Sequence, residues 1–145
     1  MVKIGGFVLN KKIKHLEMIQ EIIKRMASNS FLLKGWAVTL ASGIFALAEK
    51  DTNELYFLVA YVPIIVFWGL DSYYLLQERF YRALYKKVQL LSEDDVDFSL
   101  NVSKEKFGDA HNNNFLSCLF SKTEILFYFP LAIICAGIII VTRII

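Results

Sequence analysis

The chain has 145 residues, 56% hydrophobic and 14% aromatic, with a positive mean hydropathy of +0.46, too apolar for a soluble domain of this size to hide in one core. Its formal net charge is only +2, and the charges fall between three long apolar runs, as expected when the runs cross hydrocarbon and the charges stay in water. This composition disfavours a soluble enzyme and a nucleic-acid binder, and makes the lipid bilayer the first expected partner.

The first residues, MVKIGGFVLNKKIKHLEM, hold no apolar core of signal-peptide length and no small-residue cleavage site, so they are expected to be retained. Residues 11 to 30 place Ile13, Leu16, Ile19, Ile22, Ile23 and Met26 at helical spacing among Lys11, Lys12, Lys14, Lys24 and Arg25. Domain 1–30 is therefore expected to be a cytosolic, basic amphipathic helix, lying on an anionic leaflet or covering the end of a bundle. Asn29-Ser30 offers a cap for a following helix.

A transmembrane hairpin is predicted over 31–76, with spans 31–48 and 55–76 joined by the polar turn Glu49-Lys50-Asp51-Thr52-Asn53-Glu54. In the first span Gly35, Thr39 and Gly43 recur every four residues, forming a small-residue groove that fits packing against the second span better than a dimer face. Pro63 should kink the second span, where a carbonyl loses its donor. No breaker follows until Ser92, so residues 55 to 91 as one helix would reach about 55 Å, far beyond a bilayer core. The lower half must stand in water or on a partner. Domain 77–122 is thus a cytosolic helix and polar module, in which Ser92-Glu93-Asp94-Asp95 reads as a stop and His111-Asn112-Asn113-Asn114 as a loop.

The third transmembrane helix is placed at 123–145, its apolar run extending from about Ile125 to Val141, with Pro130 in its first turns and Ala132 and Ala136 as small packing positions. Basic residues cluster before the first span and after the second, whereas the hairpin turn is net acidic and the tail carries only Arg143. The positive-inside rule puts the N-terminus and 77–122 in the cytoplasm and the C-terminus in the periplasm or outside, in a bacterial inner membrane.

The residues with chemical interest lie at the cytosolic boundary. Counted from the hairpin turn, Lys34 and Asp71 fall within about 3 Å of one depth and can pair across the hairpin. That pair fits a structural clamp or a gating element. Trp36 and Trp68 lie at a similar level as an aromatic belt, and Gly35 and Gly69 are expected to let the helices touch. Below them Glu78, Arg79, Arg82 and Lys86 line the second helix, with Glu78 and Arg82 spaced for an ion pair and Tyr73, Tyr74, Phe80, Tyr81 and Tyr85 interleaved. These four are the expected contact for a cytosolic signal or partner, although directly under a span an interfacial anchor is the favoured reading of basic and aromatic residues.

Catalytic machinery is not expected. The sequence has no glycine-rich phosphate loop, Cys-x-x-Cys or nucleophile elbow, and His15 and His111 stand alone. Asp94, Asp95 and Asp97 lack the spacing, glycine and distal glutamate of a calcium loop, so neither a metal nor a cofactor is implied. Cys118 and Cys135 fall on opposite sides of a membrane boundary and read as free thiols.

The segments NSFLLKGWAVTL (29–40), FWGLDSYYLLQERFYRALYKKV (67–88), DFSLNVS (97–103) and SKTEILFYFPL (121–131) resemble a family of small bacterial multi-span membrane proteins for which no activity is established. The architecture, a membrane hairpin with cytosolic helices, is similar to the two-span effector modules of nucleotide-triggered anti-phage systems. It departs from them in its third span and in carrying no recognisable sensor domain. That likeness implies an antiviral, channel-like effector answering a cytosolic protein or nucleotide signal. The expectation from the sequence is therefore an all-α, three-span, homo-oligomeric protein that forms a pore or perturbs the membrane, with a non-conducting anchor or scaffold as the alternative.

Overall fold

Two long antiparallel helices frame the chain, and a third closes against them. The computed structural model describes residues 3–4, 7–8, 11–48, 59–107 and 113–144. A two-residue antiparallel pair, β1 (Lys3–Ile4) and β2 (Phe7–Val8), sets Lys3 opposite Val8 and Ile4 opposite Phe7. The helices are α1 (Lys11–Ala48), α2 (Tyr61–Leu90), α3 (Lys104–Phe107), α4 (Phe115–Leu119) and α5 (Lys122–Ile144). The hairpin turn at 49–54, the start of the predicted second span at 55–58 and His111-Asn112 lie outside the described residues.

Helix α1 corrects the expected break at Asn29-Ser30, because the amphipathic segment and the first apolar run form one 38-residue helix. Ser30 does not cap; its Oγ accepts from Lys34 Nζ one turn on, at 3.1 Å, which an uninterrupted helix allows. Helix α2 likewise runs unbroken for 30 residues and stops at Leu90, with Leu91 extended at ψ 150°. Lys12 closes that end, its Nζ donating to the carbonyls of Gln89 and Leu91 at 2.7 and 2.9 Å. Pro63 lies near the described start of α2; Val59 is helical and Ala60 has helical dihedrals (φ −62°, ψ −23°), so the missing N–H falls where the Val59 carbonyl would find its donor. Pro130 lies inside α5 and deprives the Leu126 carbonyl of its helical donor.

Packing divides into two apolar layers. The lower layer joins Ile19 of α1, Phe80, Leu84 and Val88 of α2, and Phe107 of α3. The loop after α2 folds back over it. His15 is fully buried there, donates from Nε2 to the Ser99 carbonyl at 3.2 Å, and lies 5.5 Å from the ring of Phe98, whose backbone is left-handed at φ 54°. The upper layer joins Ala37 and Ala41 of α1, Ile64 of α2, and Tyr128 and Cys135 of α5.

That upper contact overturns the small-residue expectation. A methyl group added at Gly35, Gly43 or Gly69 would meet nothing within 4 Å, so these glycines do not bring the hairpin helices together. Ala37 and Ala41, on the opposite face of α1, are buried at the contact instead. Thr39 is exposed and donates from Oγ1 to the Gly35 carbonyl at 2.9 Å.

The outer surface is apolar where a soluble protein would be polar. By length and composition, α1 and α5 can each cross a membrane, yet only 11% and 17% of the residues in their most apolar stretches are buried. Phe31 and Leu126 are 77% and 80% exposed. A core helix of a soluble protein would hide such residues. Overpacking Ala37 with Ala37→Leu is expected to destabilise the bundle by about 1–3 kcal/mol. Gly69→Ala is expected to be neutral or stabilising by up to about 1 kcal/mol, since it gains helix propensity and meets no neighbour. Thermal unfolding in detergent micelles followed by circular dichroism measures both.

Candidate functional site, a three-helix charge cluster

Between the two apolar layers lies a polar one, contributed by α1, α2 and α5. Lys34 sits at the centre. Its Nζ donates to Asp71 Oδ2, to Glu124 Oε1 at 3.1 Å and to Ser30 Oγ. Tyr128, one turn beyond Glu124 on α5, donates its hydroxyl to the same Asp71 Oδ2 at 3.1 Å. The two carboxylate side chains are 0% and 2% exposed and that of Lys34 is 20% exposed, so Lys34 is the most accessible of the three. Asp71 Oδ1 and Glu124 Oε2 are buried without a hydrogen-bond partner among the described residues.

Aromatic rings wall the cluster. Trp68 stacks on Tyr128 with centroids 6.0 Å apart and planes 18° from parallel, and its Nε1 donates to the Leu119 carbonyl at 3.0 Å. Phe127 meets Tyr128 edge-on at 5.0 Å, and Lys34 Nζ lies 5.8 Å from both of their ring centroids. Apolar walls lower the local dielectric, which strengthens the ion pairs and raises the cost of breaking them.

The turn before α5 positions Glu124. Asn114 caps α4 by accepting from the Ser117 N–H at 2.7 Å, and Ser121 Oγ accepts from the Glu124 N–H at 3.4 Å. Cys118, fully buried in α4, closes the side. Burial pushes its thiol pKa up, Arg79 draws it back down, and Glu124 adds a smaller rise.

The remaining sequence candidates separate. Trp36 is 56% exposed on the outer surface of α1 while Trp68 turns inward, so the two do not form one belt layer. Glu78 pairs with Arg82 at 2.7 Å. Arg79 turns the other way, donating to Ser117 Oγ at 3.3 Å. Arg82 and Lys86 face α1 across an open cleft of about 520 Å³, completed by Gln20, Lys24, Tyr85 and Gln89.

Glu124 and Tyr128 were not among the sequence candidates. Ser121-Lys122-Thr123-Glu124 has the spacing of a capping box, which assigns the glutamate to its own helix start. The depth count that pairs Lys34 with Asp71 would have reached Glu124 if applied to the third span as well. Comparison with protein-family models, with curated proteins and with solved structures returned no match.

Truncating the shared cation should cost most. Lys34→Ala strands two buried carboxyl groups and is expected to destabilise by about 3–5 kcal/mol. Tyr128→Phe removes one donor and is expected to cost about 1 kcal/mol. The ordering is read from denaturation of the two variants in matched detergent.

Proposed function

We propose that this chain is a three-span inner-membrane protein, N-terminus cytoplasmic, that assembles as a homo-oligomer and opens or perturbs the membrane when a cytosolic signal or partner acts on residues 77–122. The observation that carries the reading is the inverted partition of the bundle, with large apolar side chains outside and Lys34, Asp71 and Glu124 inside. In this reading the upper part of α2 is the second span, lying beside α1 and α5.

Oligomerisation is supported by the face that the fold leaves unused. Gly35, Thr39 and Gly43 lie exposed on α1, a surface of small side chains that another helix can approach closely. Three helices closed around their own ion cluster leave the conducting path, if it exists, to the assembly's centre.

Signal transmission is supported by continuity. Helices α1 and α2 pass without a break from the cleft to the cluster, about 15 Å apart at helical rise, so a displacement at Lys24, Arg82 or Lys86 reaches Lys34 and Asp71 through rigid elements. The three cations suit an anionic signal or an acidic partner surface. A role in antiviral defence rests on the architectural likeness to nucleotide-triggered effectors. The alternative is a non-conducting anchor, favoured by the same cleft if its occupant is simply a tethered protein.

Native mass spectrometry of the full chain in lipid nanodiscs is expected to show a closed assembly of four or more copies, and Gly43→Leu is expected to dissociate it with the helical signal unchanged. Planar-bilayer recordings of that assembly then separate the readings: stimulus-dependent conductance supports the pore, and a silent assembly supports the anchor. A monomeric wild-type chain refutes the oligomeric pore.

A further inference from the structure

The charge cluster is out of balance. Its contacting groups are one ammonium, Lys34, and two carboxyl groups, Asp71 and Glu124. The other groups facing them are neutral hydrogen-bonding ones: Ser30 of α1, Cys118 of α4 and Tyr128 of α5. Arg79 donates to Ser117 Oγ and acts on Cys118, and it is not among the charges acting on Glu124, which are Asp71 and Lys34. Two fully ionised carboxylates on one ammonium would leave a net negative charge enclosed by Trp68, Phe127 and Tyr128, which a low-dielectric site does not tolerate.

A second observation points the same way. Each carboxyl group gives one oxygen to Lys34 and keeps the other, Asp71 Oδ1 or Glu124 Oε2, buried and unpartnered. A buried carboxylate oxygen with no donor is costly, whereas a carboxylic acid carries its own donor. One proton therefore corrects the charge count and supplies a donor to the orphaned pair at once.

We propose that the three-helix cluster is a proton-binding site, holding one proton on the Asp71–Glu124 carboxyl pair at neutral pH, so that its resting state is one ammonium, one carboxylate and one carboxylic acid. The assignment rests on the geometry of the clamp and stands whether or not an assembly conducts. Lys34, partly exposed at the cluster's edge, marks where the proton exchanges with water. Loss of the proton sets two carboxylates against each other across α2 and α5, so the third helix loosens as pH rises.

Infrared spectroscopy of the full-length chain in lipid nanodiscs counts the proton directly. The carbonyl stretch of a buried carboxylic acid lies apart from the amide bands and shifts in heavy water. At neutral pH the wild type is expected to show one such band. Glu124→Gln and Asp71→Asn, each leaving one carboxylate on one ammonium, are expected to show none. Lys34→Met, with no cation, is expected to show a band of twice the wild-type amplitude. Circular dichroism checks that each variant is helical, and Glu124→Gln, the neutral isostere of the acid, keeps the test decisive if Lys34→Met fails to fold. The thermal midpoint of the wild type is expected to fall as pH rises from the ordinary carboxylate range through neutral, with Glu124→Gln flat over the same range. Absence of the band in the wild type overturns the proposal, as does its persistence in Glu124→Gln. A wild-type midpoint raised by sodium over choline, with no acid band, would make the cluster a metal-cation site instead and equally refute it.

Discussion

One lysine ammonium shared by two carboxyl groups ties together three helices that are distant in sequence. Lys34 reaches Asp71 on α2 and Glu124 on α5, and both contacts sit in a layer with apolar packing on either side. Apolar contact discriminates weakly between one helix register and another, because it has no directional preference. A buried charge cluster discriminates strongly, since any other register leaves an ion without its partner. The register of α1 against α2, and the seating of α5 upon them, follow from that constraint.

Above this layer, Ala37 and Ala41 pack with Ile64, Tyr128 and Cys135, and the exterior is left to Leu47, Val62, Leu126 and their neighbours. Below it, the chain behaves like a soluble helical pair. Ile19 and Phe80 pack inward, Lys14 and Glu17 pair on the surface, and Lys12 caps the end of α2. Two physical regimes thus share the same two helices. The cleft between Lys24, Arg82 and Lys86 belongs to the lower regime and the charge cluster to the boundary, which puts a place for an anionic contact on the same rigid elements as the clamp.

Much of this was readable from residue order, for reasons that differ by element. Lys34 and Asp71 could be matched because a hairpin fixes depth by counting from its turn, and a charge inside an apolar run has few places to go. The glycine stripe misled because spacing shows which residues share a face, but not which face the neighbour takes; Ala37 and Ala41 lie on the opposite face and carry the contact. Asn29-Ser30 looked like a boundary by composition, yet polar side chains continue a helix when their hydrogen bonds are made locally, as Ser30 does with Lys34. Glu124 was concealed by a local pattern with a sufficient local explanation. Its true partner lies 90 residues away, a separation over which spacing carries no information.

The central claim is that these charges act as one coupled unit rather than as separate ion pairs. A mutant cycle in thermal unfolding tests it most directly, comparing Lys34→Met alone with the variant that also carries Asp71→Asn and Glu124→Gln. If the cluster is a unit, the triple variant, with no carboxyl group left buried without its cation, unfolds at a clearly higher temperature than Lys34→Met. A triple variant no more stable than Lys34→Met, with the three losses adding independently, would contradict the account.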